Sequence, residues 1–206
     1  MTHPIKSGKF TRFSILSLVA ANVLPVIGVL FFDWSLLEIL FLYWFESGVI
    51  GFYNVFKLIK VSGIIAIFLV PFFMIHYGGF MIGHLVFIFF FFAPDLVHSS
   101  FLPSLEFFVQ LFNTLKFSIV VLFMSHGVSF FSNFLGNHEY KNSNIVIQMK
   151  APYIRIVTMH LTLLLGGALI LQLKEEIFAL VVLIIVKTVA DFGSYLKEHD
   201  LLKALR

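Results

Sequence analysis

The 206 residues are 60% hydrophobic and only 12% charged, with 28 Phe and a mean hydropathy of +1.00; that excludes a soluble globular domain, which has no interior large enough for so much apolar surface. The net charge of +3 and pI near 9.1 come without a basic tract interleaved with aromatics, which excludes a nucleic-acid partner and leaves membrane lipid as the surrounding medium. No cysteine is present, so disulfides, thiolate metal sites and a Cys nucleophile are excluded together, and any bound metal has nitrogen and oxygen ligands.

A membrane span needs about 20 apolar residues, and on that measure the chain divides into six predicted helices at 14–32, 36–58, 64–92, 107–134, 151–171 and 177–196. The expected fold is all-α, a polytopic six-transmembrane-helix bundle forming one integral membrane domain over residues 1–206. Lys6, Lys9 and Arg12 lead into the first helix without a small-residue cleavage site, so that helix is expected to be retained. The second follows Asp33-Trp34-Ser35 and ends before a loop from Lys57 to Gly63. The third is longer than a bilayer needs, and tilt, a kink at Pro71 or projection beyond the lipid would accommodate it. The fifth is expected to start at Pro152, which suits a first helical position.

Basic residues alternate between the two ends of these helices. Lys6, Lys9 and Arg12 precede the first, Lys57 and Lys60 follow the second, Lys141 and Lys150 follow the fourth, and Lys197, Lys203 and Arg206 follow the sixth. The other loops carry Asp33, Glu38, Asp95, Glu106, Glu175 and Glu176, with Lys174 as their one cation. The positive-inside rule then places both termini in the cytoplasm of a multi-pass protein of the cell (inner) membrane.

Nine ionisable residues lie inside the predicted helices: Glu46, His76, His84, Lys116, His126, Arg155, His160, Lys187 and Asp191. Each costs at least about 2.5–3.5 kcal/mol near a bilayer centre when charged, so such groups face a bundle interior, pair or bind. With a rise of about 1.5 Å per residue, Glu46 and His76 fall near the midplane, and His126, His160 and Asp191 in the cytoplasmic half. Five helices thus contribute one group each to a layer, as bundles do when they build metal and cofactor sites. His84 lies two turns further out, as a further ligand, a supporting partner or a separate polar contact. In the last helix, Lys187, Asp191, Tyr195 and His199 follow one another at offsets of four, so Lys187 and Asp191 can neutralise each other.

The blocks Leu42-Tyr43-Trp44-Phe45-Glu46, His76-Tyr77-Gly78-Gly79-Phe80 through His84, Ser125-His126-Gly127, Pro152-Tyr153 through Arg155 and His160, and Lys187 to Asp191 resemble a prokaryotic family of integral membrane proteins of unknown function. The resemblance covers most of the chain and implies that the polar blocks belong together; it supplies no activity. The Gly-x-Ser-Gly nucleophile block of the six-span rhomboid proteases is absent.

The residue types themselves point to metal. Zinc or iron accepts neutral imidazole and carboxylate, and ligands from separate helices offset one another's burial while leaving a position for water. His76, His126 and His160 are the expected ligands; Glu46 and Asp191 complete the shell or act as the catalytic base on metal-bound water, and His84 is a further candidate. The expected function is a metal-dependent hydrolase acting on a lipid or another membrane-associated substrate. One alternative is a redox protein in which two of these histidines ligate haem or the site takes a quinone. Another is a proton or ion transporter in which Glu46, Lys187 and Asp191 relay charge. Taken singly, each histidine is also accounted for by a hydrogen bond to a neighbouring Ser, Tyr or carbonyl, and Lys116, Arg155 and His199 by anchoring.

Overall fold

A computed structural model describes residues 23, 25–97, 103–173 and 181–189, and every regular element among them is helical. Helix α1 covers residues 25–32 and turns into α2, Leu36–Ser62, through Asp33, whose φ is 52°. The start of α2 is fixed by a reciprocal cap, in which the Glu38 amide donates to Ser35 Oγ (3.4 Å) and the Ser35 amide to Glu38 Oε2 (2.7 Å). Its end is fixed by Gly63, where a φ of +57° with ψ of −129° suits a residue without Cβ. The helix therefore runs through Lys57 and Lys60, residues expected in a loop.

After the single turn Gly63–Ile65, α3 (Ala66–Phe92) returns antiparallel to α2. Two bonds set the register: Trp44 Nε1 donates to the Met81 carbonyl (2.7 Å) and the Tyr77 hydroxyl to the Ser47 carbonyl (2.8 Å). Helix α4 (Leu105–Ser129) is capped by Ser104, whose Oγ accepts from the Phe107 amide (3.3 Å), and widens into a π-helical stretch at Phe130–Gly136. Helix α5 (Ile145–Leu173) begins where Asn144 Oδ1 accepts from the Ile147 amide (2.9 Å). It thus starts well before Pro152, which sits inside it and is not its first residue. Residues 181–189 form α6. The first 22 residues of the chain and the C-terminal part of the expected sixth span, with Asp191 and His199, lie outside the described residues.

Two stretches are long and apolar enough to cross a membrane: Leu36–Phe92, which is the α2–α3 hairpin, and Leu105–Gly136. The described residues are therefore all-helical, with these two stretches able to cross a membrane by length and composition. Helix α2 is central, packing against α3, α4 and α5, and Ile39, Leu40, Phe41 and Leu58 on it are fully covered. The distribution of polarity inverts that of a water-soluble bundle. Phe68, Ile75 and Phe117 point outward at 78–79% exposure, while Glu46, Asn54, His84, Ser118 and Lys187 are buried. Apolar surface on this scale suits contact with hydrocarbon.

Candidate functional site

The buried charges meet at the centre of α2. Glu46 is 4% exposed and Lys187 on α6 is 6% exposed, and Lys187 Nζ lies 2.8 Å from Glu46 Oε2. The ammonium also sits over the Tyr43 ring, 4.4 Å from its centroid, a second favourable contact for a cation removed from water. On the other carboxylate oxygen, His126 Nε2 of α4 stands 4.0 Å from Oε1. One carboxylate is thus shared between a close ammonium and a more distant imidazole from a different helix.

Local sequence explains why these groups converge. On α2, Leu40, Tyr43, Ser47 and Ile50 recur at helical spacing and line a crevice together with Glu46; Arg155, Thr158, Met159, Thr162 and Leu163 do the same on α5, and Lys187 closes the crevice from α6. Arg155 and Glu46 line the same crevice. The hydroxyls are already committed along their own helices. Ser47 Oγ donates to the Tyr43 carbonyl (3.1 Å), Thr158 Oγ1 to the Ile154 carbonyl (3.0 Å), and Thr162 Oγ1 to the Thr158 carbonyl (2.9 Å).

Two glycines permit the close approach. A Cβ on Gly51 would lie 2.5 Å from the Tyr77 ring, and one on Gly166 would lie 2.9 Å from Leu183. The first contact brings α3 onto α2 beside the site. The second seats fully buried Leu183 against α5, one helical turn before Lys187, and so delivers the ammonium to Glu46.

The remaining predicted site residues are distributed elsewhere. His76 is exposed on α3, and its Nδ1 is 2.7 Å from the Tyr153 hydroxyl. His84 is buried, with Nε2 3.2 Å from Nδ1 of exposed His160 and with its own Nδ1 unpartnered. Lys116 is exposed and lies over the Phe117 ring at 5.6 Å. The expected ligands His76, His126 and His160 are consequently in three different contacts, and among the described residues no group of three His, Asp or Glu side chains is placed to hold one ion. Asp191, expected both as ligand and as base, lies outside the described residues.

Sequence reasoning had singled out Glu46, Lys187, His126 and Arg155, but not their mutual arrangement, nor Tyr43, Ser47, Thr158 and Thr162 as lining. The hydroxyls were readable as a signal, since Arg155, Thr158 and Thr162 recur on one face of α5 as Tyr43 and Ser47 do on α2.

The model of a family of unknown function, DUF6498, matches residues 4–204. No curated protein and no solved structure matches the chain.

Proposed function

The chain belongs to the DUF6498 family, and on that premise we propose that it is a six-span protein of the cell membrane, with both termini cytoplasmic, that transports protons through exchange at Glu46 and Lys187. The observation that carries this reading is the ion pair itself, at 2.8 Å between two buried side chains of different helices. A buried pair seldom adds net stability over apolar residues of the same size, because desolvation offsets the attraction. Ionisable groups held inside apolar spans are characteristic of proton and ion paths. The outward apolar surface, the inward polar groups and the alternating basic loops support the topology.

In the paired state Glu46 is ionised and holds the Lys187 ammonium. A proton arriving from the His126 side, 4.0 Å from the free side of the carboxylate at Oε1, neutralises Glu46 and weakens its hold on Lys187. The ammonium is then retained by the Tyr43 ring. Loss of the proton restores the pair. The His126 imidazole is the titratable side chain beside that second carboxylate oxygen.

The metal-dependent hydrolase draws less support, since among the described residues no group of three His, Asp or Glu side chains is placed to hold one ion.

The test is proton uptake by proteoliposomes under an imposed membrane potential, followed with an entrapped pH-sensitive dye. The wild-type protein is expected to carry proton current, and Glu46→Gln to abolish it. Wild-type vesicles no more permeable than protein-free ones would overturn the proposal, as would unchanged current in Glu46→Gln.

A further inference from the structure

In the Ser125-His126-Gly127 block, the glycine shapes a second feature, away from the ion pair. Gly127 faces Tyr53 of α2, and a Cβ at 127 would lie 2.6 Å from the tyrosine hydroxyl oxygen. With no side chain there, buried Tyr53 crosses the seam between the helices and its hydroxyl donates to the Phe123 carbonyl (3.1 Å). Tyr53 thus floors an open groove of about 520 Å³, walled on α4 by Phe123, Met124, Val128, Phe131 and Ser132. That volume is within the roughly 300–1,000 Å³ of small-molecule sites. The Ser132 hydroxyl is donated to the Val128 carbonyl, so both hydroxyls of the lining serve the backbone and the groove offers an apolar surface.

We propose that this groove seats one acyl chain of a phospholipid with an anionic headgroup, the headgroup lying against Lys60 and Lys141. The inference rests on α2 and α4 standing in a bilayer, and it is independent of what the ion pair does. Length is the first reason for this occupant. From Phe123 to Ser132 the groove follows α4 for about 14 Å at a rise of about 1.5 Å per residue. That is close to half of the roughly 30 Å hydrocarbon core, the depth of one leaflet.

Charge is the second reason. From the groove an aromatic run leads along the seam: the Phe130 ring lies 5.7 Å from Tyr53 and stacks 5.7 Å from Phe134, which is 6.1 Å from Tyr140. The turn Glu139–Asn142, which carries Tyr140, packs against α2. Exposed Lys60 of α2 places its Nζ 4.8 Å from the Tyr140 ring centroid, and exposed Lys141 is the next residue of the turn. Together with Lys57, which lies over Phe134 at 5.3 Å, these lysines outnumber the one carboxylate of the turn, Glu139. The apolar groove therefore ends at a basic rim, matching an acyl chain below a phosphate. A second copy of the chain matches it less well. Two copies in one membrane share an orientation, and a two-fold seam here would bring their lysine ends together.

The test is native mass spectrometry of the delipidated full-length protein in detergent, titrated with dioleoyl phosphatidylglycerol and, separately, with dioleoyl phosphatidylcholine, which has the same chains and no net charge. Phosphatidylglycerol is expected to bind saturably and more tightly, and Lys60→Gln and Lys141→Gln each to cut that preference about fivefold, with phosphatidylcholine binding unchanged. Met124→Trp, which places a bulky ring in the groove at an exposed position, is expected to weaken both lipids. Thermal unfolding of each variant without lipid checks that it is folded; should Met124→Trp unfold, Val128→Trp takes its place. Equal affinity of the wild type for the two lipids, an unchanged preference in the Lys60→Gln, Lys141→Gln double variant, or unchanged binding in the folded groove variant would each overturn the proposal. So would inorganic phosphate or glycerol 3-phosphate binding as tightly as the lipid, which would assign the rim to a free anion, or a dimer that Met124→Trp dissociates, which would assign the groove to a second copy. Release of the chain from membranes without detergent would overturn the membrane reading as well, whereas indifference to lipid charge in the solubilised protein removes this inference alone.

Discussion

The Tyr77 hydroxyl donates to the Ser47 carbonyl at 2.8 Å, and the same ring fills the space above Gly51. The residue preceding Ser47 is Glu46, so a single side chain of α3 holds the backbone on which the buried carboxylate is mounted. Helix α2 is fixed here by a tyrosine that reaches a backbone acceptor and by a glycine that lets the ring in.

Substituting Gly51 with Ala sets a methyl group 2.5 Å from the Tyr77 ring. Overpacking of this kind costs about 1–3 kcal/mol. Thermal unfolding of Gly51→Ala in detergent is expected to fall accordingly, and a variant as stable as the wild type would show that α3 is not seated against α2 in this way.

Tyr77→Phe keeps the ring and removes only the hydroxyl. A buried carbonyl already bonded within its helix retains one partner, so the expected loss is about 1 kcal/mol, the value of an ordinary intramolecular hydrogen bond. A loss near that of Gly51→Ala would indicate that the hydroxyl, and not the ring, carries the contact.

Lys187→Met leaves the Glu46 carboxylate buried without its ammonium partner, a change that costs about 3–5 kcal/mol. Adding Glu46→Gln is expected to recover most of that loss, because the orphaned charge is then gone. Unfolding measurements on the two single variants and the double variant check this. Additive losses would contradict a direct pair.

His84 and His160 are joined through Nε2 and Nδ1 at 3.2 Å. Their double-alanine cycle is expected to show a coupling of about 0.5–1.5 kcal/mol in stability. A coupling near zero would mean that the two imidazoles are satisfied by other groups.

Much of this arrangement could be read before any coordinates. The hydrophobic runs locate α2, α3 and α4, and Ser35 with Glu38 marks the start of α2, because capping and apolar length are local properties. Glu46 and Lys187 were each legible as ionisable groups inside apolar helices. Their pairing was not. Sequence spacing exhibits neighbours along one helix, such as Asp191, which lies outside the described residues, for Lys187; that Glu46 also reaches Lys187 depends on Leu183 seating against Gly166. Depth along a helix follows from the rise per residue, but the direction a side chain faces depends on which helix packs beside it. Hence His76, at nearly the same expected depth as Glu46, faces Tyr153. The start of α5 was misplaced for a related reason: Pro152 is compatible with a first helical turn, but the Asn144 cap and the amides before the proline allow the helix to begin earlier.

The central claim is that Glu46 and Lys187 act as one proton-exchanging unit, and a double-variant cycle on proton current in proteoliposomes tests it most directly. Glu46→Gln, Lys187→Met and the double variant are expected to lose the current to the same extent, with the double variant nearly as stable as the wild type. Wild-type current in the stable double variant would contradict the account.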